Sequence, residues 1–256
     1  MVQLNPTCRA LLSAWATIRQ GLSVDQRLES KLHDPLKEAW DLYEYWCWFA
    51  LCDAIDEVAG QKGRVERVPV KTLDRFVGEG VLEWGLVHQV ALRTNRIRVY
   101  YNAPARHGSD SPYSSYSRSF RPDIAVEVST AAGDVLDLSL FDAKYRVMQF
   151  DDARGADGQL KRDERRGVAK TDDLKVMHAY RDALRSRNGD PPRWVLTLFP
   201  GSELVLYSKQ SGRSRNVQVL SSRTAGGVGA LPCRPLRSSD HNFLGDSVRA
   251  LLAPYA

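Results

Sequence analysis

The segment from Arg121 to Arg146 is the part of the sequence that most restricts the fold. Two runs of strand-forming residues flank a short turn that contains Gly133, which is the pattern of a β-hairpin. Alternation along the second run places four side chains on one face: Leu138, Leu140, Asp142 and Lys144. The opposite face carries Phe141, Ala143 and Tyr145. An apolar face of the second strand therefore ends in a carboxylate and an ammonium group.

A second carboxylate lies at the beginning of the first strand, where Asp123 follows Pro122. In an antiparallel pair the start of one strand lies beside the end of the next, so we expect Asp123 and Asp142 to meet with Lys144 beside them. Two carboxylates in a half-buried sheet repel each other and lose water, and a positive charge between them is needed to keep both ionised. The alternative is a solvent-edge hairpin in which these residues form only turn and surface contacts.

A divalent cation with oxygen ligands is the usual solution for such a pair, and Mg2+ takes one or two carboxylates together with phosphate oxygens and waters. Lys144 would then orient or deprotonate the attacking water. This combination predicts metal-assisted hydrolysis of a phosphodiester.

The motif Pro122-Asp123, followed by Asp142-Ala143-Lys144, resembles that of the PD-(D/E)XK nuclease superfamily. Four further segments occur in the order found in McrC-like bacterial nucleases: Leu42-Tyr43-Glu44-Tyr45-Trp46, Phe141-Asp142-Ala143-Lys144-Tyr145, Met177-His178-Ala179-Tyr180-Arg181-Asp182 and Phe199-Pro200-Gly201. The resemblance covers the chain from about Asp41 to its C-terminus. It implies an α/β, restriction-endonuclease-like fold, with a mixed central β-sheet flanked by helices. We expect a helical N-terminal segment (1–33) and a nuclease domain (34–256).

The resemblance also implies the ligands of the metal. Asp123 and Asp142 would bind Mg2+, for which Mn2+ would substitute, and the carbonyl of Ala143 is a further candidate ligand. Glu44 matches the helix acid that completes the ligand set in many members of the superfamily. On the residues alone Glu44 has an alternative place, on an exposed stripe of its helix with Asp41 and Lys37. The catalytic candidates are Asp123, Asp142, Lys144 and Glu44.

Substrate-binding candidates lie on a helix predicted from Thr171-Asp172-Asp173, which forms its N-terminal cap, to about Arg187. They are Lys175, His178, Tyr180 and Arg181. In related nucleases a Gln or Lys four residues before the Tyr faces the active site. This chain has Val176 at that position and departs from the pattern there.

The function that the resemblance implies is Mg2+-dependent endonuclease activity on DNA, in restriction of or defence against foreign DNA. The partners it implies are DNA and a separate AAA+ GTPase or ATPase subunit, and a homodimer is a further candidate assembly. A second hypothesis is a catalytically silent nuclease-like module that binds DNA or a protein. A third is a nuclease directed at RNA.

The remaining elements follow from periodicity and turn residues. We expect the longest helix from Pro35 to about Val58 and a final helix over Asn242–Leu252, and about five strands in the sheet. Strands are expected at Val65–Val70, Leu86–Leu92, Arg96–Tyr101, Trp194–Phe199 and Glu203–Tyr207, with Trp194–Phe199 parallel to the Asp142 strand. Loops are expected at Asn102–Ser119, Asp151–Lys170, Gln210–Arg215 and Ser221–Gly229.

Composition adds few constraints. A length of 256 residues favours one domain with a helical appendage, and a net charge of +5 suits a polyanionic partner. Four cysteines without metal-ligand spacing favour buried free thiols in a reducing cytoplasm. The N-terminus lacks a signal-peptide pattern and no apolar run is long enough for a membrane span. We therefore expect a cytoplasmic protein.

Overall fold

The computed structural model describes residues 35–69, 84–103, 111–117, 120–145, 171–234 and 238–256. The predicted N-terminal helical segment (1–33) and the predicted basic loop (151–170) lie outside these ranges. Three α-helices occur in the described chain: α1 (Pro35–Ala59), α2 (Thr171–Ala183) and α3 (Ser238–Leu252). None of these described helices combines the length and the apolar character needed to cross a lipid bilayer.

The described strands fall into two groups, six between α1 and α2 and five between α2 and α3. They are β1 (Arg64–Pro69), β2 (Trp84–Leu92), β3 (Asn95–Tyr101), β4 (Tyr113–Ser115), β5 (Ile124–Thr130), β6 (Val135–Ala143), β7 (Leu184–Ser186), β8 (Trp194–Phe199), β9 (Val205–Ser208), β10 (Gly212–Ser214) and β11 (Gly227–Pro232). Short 3-10 helices lie at Val217–Ser221 and Ala253–Tyr255.

Nine of the described strands form one mixed sheet in the order β1-β2-β3-β5-β6-β8-β11-β9-β10. The first strands of this order, from β1 to β6, pair antiparallel, whereas β8 is parallel to both β6 and β11. The predicted β5–β6 hairpin and the predicted parallel pairing of β8 with β6 are confirmed. The prediction of about five strands is wrong, because the sheet continues through β11, β9 and β10.

The missed strand β11 lies inside the sheet, between β8 and β9, and every residue of it is buried. Its glycines led to the prediction of a loop, because glycine is common in loops. In the structure they permit close packing of neighbouring strands. A Cβ atom at Gly227 would collide with the main-chain oxygen of Tyr207. The expected loops at Gln210–Arg215 and Ser221–Gly229 are therefore wrong over β10 and over the start of β11.

The sheet has a hydrophobic core on each face. One core contains α1 and α3 with side chains of the central strands, including Ile124, Phe141 and Ala143. The other contains Met177 and Tyr180 of α2 with the alternate residues of those strands. Because successive strand residues point to opposite faces, a mixed sheet covered on both sides follows from the alternation. The predicted α/β architecture is confirmed.

Helix α1 is long and apolar, and it begins and ends within a few residues of its predicted bounds. The residues at its core-facing positions are almost fully buried: Tyr43, Cys47, Trp48, Leu51 and Ile55. The Tyr43 hydroxyl donates a hydrogen bond of 2.7 Å to the carbonyl of Cys233, which follows β11. The three cysteines in the described chain are free and buried, as predicted.

Helix α2 ends earlier than predicted, because Leu184–Ser186 leaves the helix and pairs with Tyr113–Ser115 as a small second sheet. Part of the predicted loop Asn102–Ser119 is therefore strand β4. Tyr113 is buried, and its hydroxyl donates to the carbonyl of Ala103. The pairing of β4 with β7 holds this part of the chain against the core on the α2 side of the sheet.

Arg193, just before β8, connects the sheet to the C-terminal helix. Its Nε donates to Asp137 Oδ2 at 2.9 Å, and Nη2 donates to the carbonyl of Leu251 at 2.8 Å. Nη1 donates to the carbonyls of Leu220 and Ser222 at 2.8 and 3.0 Å. A guanidinium with a buried carboxylate and three main-chain acceptors is well satisfied, and its loss would leave these groups unpaired.

We predict that Arg193→Met lowers the free energy of unfolding by roughly 3–5 kcal/mol, because it leaves the carboxylate of Asp137 buried without its cation. Urea unfolding monitored by circular dichroism measures the change. The matched control is Arg249→Met, which removes an exposed guanidinium paired with Asp246 and should cost less than about 1 kcal/mol. Equal losses in the two variants would contradict the role given to Arg193.

Candidate active site

The register of β5 and β6 brings Asp123 opposite Asp142. Ile124 pairs with Phe141 in this antiparallel ladder, so the next positions outward are those of the two aspartates. The main-chain N–H of Ala143 donates a hydrogen bond of 2.7 Å to Asp123 Oδ2. Both carboxyl groups are buried, with Asp123 9% and Asp142 2% exposed. The structure therefore places the two acids side by side at one end of the sheet.

Asp142 is held by groups from three elements. The ammonium group of Lys144 contacts Asp142 Oδ2, and the Tyr180 hydroxyl of α2 donates to Oδ1 at 3.3 Å. The hydroxyl of Thr197 on β8 donates to the main-chain carbonyl of Asp142 at 3.1 Å. Lys144 is half-buried rather than turned to bulk solvent, so the arrangement differs from the alternative of an exposed surface pair.

We call the place where Asp123, Asp142 and Lys144 meet the corner of the sheet. Burial and repulsion between the carboxylates dominate its electrostatics. Burial, Asp142 and Glu44 raise the pKa of Asp123 well above its usual range. Burial also raises the pKa of Asp142, although Lys144 and Tyr180 act in the opposite direction. For Lys144, burial lowers the pKa, but the charges of Asp142 and Asp123 outweigh burial and raise the pKa overall. Several acidic groups thus share one ammonium group in a poorly solvated place.

Glu44 joins this group from helix α1. It is half-buried, and burial together with Asp41 and Asp142 raises its pKa to about 7, whereas Lys144 and Arg121 lower it. Glu44 therefore interacts both with Asp41 on its own helix and with Asp142 on the sheet. Its role as a metal ligand stays a prediction.

A fourth acid of this group, after Asp123, Asp142 and Glu44, was not predicted from the sequence. Asp173, in the first turn of α2, is buried, and its charge acts on the pKa values of both Asp142 and Lys144. Its position in a Thr-Asp-Asp capping sequence concealed this, because a capping acid needs no further explanation. Arg121, directly before the Pro-Asp motif, was also left unassigned although it acts on Glu44.

The other substrate-binding candidates lie outside this group of acids. Lys175 is exposed and pairs with Asp172 at 2.8 Å. His178 and Arg181 line an open cleft with Pro191, near the start of β8. Asp142 pairs with Thr197, which lies about 10 Å farther along that strand. Tyr180 alone among the four candidates contacts Asp142 directly.

The donor set fits a hard divalent cation. Asp123 and Asp142 offer carboxylate oxygens, and two carboxylates with waters and phosphate oxygens suffice for Mg2+. Within the described ranges no three acidic, histidine or cysteine side chains already surround a common point at metal-binding distance. The ammonium of Lys144 is the nearest compensating charge to Asp142 in this arrangement.

The raised pKa of Glu44 predicts a pH dependence of stability without metal. The carboxyl group binds its proton more tightly in the folded state, so its contribution to stability falls as the pH rises from about 4.5 to about 7. The contribution amounts to about 1–3 kcal/mol after discounting for partial exposure. In EDTA, stability should therefore decline more between pH 5 and pH 8 in the wild type than in Glu44→Gln.

Urea unfolding at the two pH values measures this difference. The control is Glu57→Gln, which changes an exposed glutamate on the same helix and should follow the wild-type decline. An equal decline in the wild type and in Glu44→Gln would show that Glu44 is not held in an unfavourable charged environment.

Comparison with known proteins assigns the chain to a family. The model of the PD-(D/E)XK nuclease superfamily matches residues 41–203, which is more than half of the chain and includes Glu44, Asp123, Asp142 and Lys144. No curated protein and no solved structure matches significantly. The large mixed sheet flanked by helices agrees with the restriction-endonuclease-like fold of this superfamily. The chain belongs to the PD-(D/E)XK nuclease superfamily.

Proposed function

We propose that this protein is an Mg2+-dependent endonuclease that hydrolyses phosphodiester bonds of DNA. Its superfamily suggests nuclease activity. The observation that carries the proposal is the meeting of Asp123, Asp142 and Lys144 in one buried corner, with the residue types and order of the superfamily motif. A merely structural corner would not need several buried acids around a single lysine.

Asp123 and Asp142 would hold the metal, and Glu44 and the carbonyl of Ala143 would complete its ligands. When bound, Mg2+ or Mn2+ neutralises charge on the phosphate and lowers the pKa of a coordinated water. Because the pKa of Glu44 is about 7, its carboxyl group is partly protonated near neutral pH. It would release this proton on becoming a metal ligand.

The chain's own groups would fix the geometry. The N–H of Ala143 orients the carboxyl group of Asp123, and the Tyr180 hydroxyl orients that of Asp142. Lys144 would position the attacking water by donating a hydrogen bond, since its raised pKa keeps the ammonium form at neutral pH. The positive charge of Lys144 would also stabilise the additional negative charge on the phosphate in the transition state.

Lys175, His178 and Arg181 would contact the DNA away from the scissile phosphate rather than at the reacting group. Their positions on the outer side of α2 support this division, because they do not lie among the carboxylates. Tyr180 belongs with the catalytic corner instead, where it contacts Asp142.

The resemblance to McrC-like nucleases supports a wider proposal. The protein would act in the cytoplasm in restriction of, or defence against, foreign DNA. It would work beside a separate AAA+ GTPase or ATPase subunit, and it would form a homodimer if both strands are cut by equivalent sites.

A plasmid nicking assay tests the central proposal. Wild-type protein should convert supercoiled DNA to nicked and linear forms in Mg2+ or Mn2+ and should be inactive in EDTA. Asp142→Asn and Lys144→Ala should each lose at least about 100-fold in rate, because each removes a group that acts on the reacting phosphate or water. Lys62→Ala, which removes an exposed lysine paired with Asp53, serves as the control with full activity.

The same assay separates the alternatives. Binding of DNA without cleavage in any divalent metal would identify a catalytically silent binding module. Cleavage of a matched RNA but not of DNA would identify an RNA-directed nuclease. Cleavage that persists in Asp142→Asn would exclude the proposed site.

A further inference from the structure

A cleft with several cationic side chains runs along the outer side of α2, away from the buried acids. It has a volume of about 590 Å3, and we call it the α2 cleft. Its basic and histidine side chains are His178, Arg181, Arg185 and Lys209. Lys209 comes from the turn after β9, so two separate parts of the chain supply positive groups to one open depression.

Arg181 is the most unusual group in the cleft. Its guanidinium is half-buried, and burial lowers its pKa. The Nε atom is buried, and no acceptor in the described part of the chain lies within hydrogen-bonding distance of it. Arg181 also lines an adjoining cavity of about 260 Å3. No carboxylate among the described residues pairs with this guanidinium. A partly desolvated cation of this kind is unfavourable, and a bound anion would offset that cost.

The neighbouring groups are already held in place. Arg185 Nη1 donates to the carbonyls of Asp182 and Leu184, both at 2.7 Å, and its guanidinium lies over the ring of Tyr116 at 5.3 Å. Asp182, the acid that lines the cleft, accepts a hydrogen bond of 3.2 Å from the Tyr116 hydroxyl. These contacts fix the cleft wall and engage the one acidic side chain on it, while His178 and Lys209 remain exposed.

The position of the cleft relative to the acids fits a nucleic-acid strand. Asp173 in the first turn of α2 lies near Asp142, and Arg181 follows it by about two helical turns, or roughly 12 Å. A strand of duplex DNA rises about 3.4 Å per nucleotide along the duplex axis, so a duplex whose axis runs along α2 advances by three or four nucleotides over about 12 Å.

We propose that the α2 cleft binds a phosphate group of the DNA strand about three to four nucleotides from the scissile phosphate, with Arg181 as its principal contact. The assignment rests on DNA as the substrate of the proposed function. In this arrangement the outer side of α2 binds the DNA strand, and the acids at the end of the sheet carry out the hydrolysis. Arg181 and Lys209 are binding residues in this arrangement and do not act on the reacting phosphate.

The test measures equilibrium binding rather than cleavage. Full-length protein carrying Asp142→Asn is titrated with a fluorescent DNA duplex, in EDTA, at a series of NaCl concentrations. Adding Arg181→Met should weaken binding about 5- to 10-fold at low salt and reduce the slope of log K against log salt by about 0.9, the value for one phosphate contact. Arg181→Lys should restore most of the affinity, and Arg249→Met, on the exposed surface of α3, should change neither quantity.

The outcomes distinguish this proposal from that of the nuclease. Because no metal is present, this test does not depend on cleavage. Wild-type protein that binds DNA through Arg181 but does not nick plasmid in Mg2+ or Mn2+ would support the cleft and contradict the nuclease. Unchanged DNA affinity and salt slope in Arg181→Met would overturn the proposal for the cleft. An equal loss of DNA affinity in Arg249→Met would overturn it as well. If Arg181→Met does not fold, Lys209→Met, at an exposed position of the same cleft, is read in the same way.

A separate measurement addresses free phosphate. Orthophosphate and pyrophosphate are added to the wild type and to Arg181→Met, and the thermal midpoint is followed. Stabilisation that requires Arg181, together with unchanged DNA binding in the variant, would identify a site for a small anion and overturn the proposal. Loss of DNA affinity in the variant, with or without such stabilisation, supports a contact to the strand.

Discussion

The pairing of β5 with β6 is the constraint on which the site depends. Its register places Asp123 opposite Asp142, and a shift of either strand by one residue would put the two side chains on opposite faces of the sheet. The parallel strand β8 fixes the end of β6, since the N–H of Lys144 donates to the carbonyl of Leu198 at 2.8 Å. Residues far apart in sequence thus meet because the hydrophobic pattern of the strands permits only one register.

The same packing that positions the acids makes them unfavourable as a group. Strand residues around Asp142 are buried, α1 closes one side with Glu44, and α2 brings Asp173 to the other. Lys144 compensates only part of this charge, and the pKa values of the three acids of the proposed metal site are all raised. In the proposed function, a bound cation would relieve this repulsion between the carboxylates.

The parts of the fold that sequence predicted well are those with strong periodicity. The apolar helix α1, the β5–β6 hairpin and the buried strand β8 follow from patterns that depend on nearby residues. Strand β11 was missed because its glycines allow β9 to approach closely. A local sequence pattern does not show this contact between distant segments. Strand β7 was missed for a similar reason: its pairing with β4 ends the helix, although Leu184 and Arg185 are good helix formers.

The site shows the same division between local and distant information. The motif identified Asp123, Asp142 and Lys144, and the structure brings them together. Asp173 escaped notice because its sequence context already explained it as a cap. The placement of His178 and Arg181 away from the acids depends on how α2 lies on the sheet, which a helical wheel does not specify.

The central claim is that Asp123 and Asp142 together bind one divalent cation, and Mn2+ titration followed by electron paramagnetic resonance tests it most directly. Free Mn2+ gives the signal, so its loss on adding protein counts bound ions without requiring activity. The account predicts saturable binding to the wild type that is abolished in Asp123→Asn and in Asp142→Asn but retained in Asp246→Asn, an exposed control on α3. Equal Mn2+ binding by all four proteins, or none by the wild type with DNA present, would contradict it.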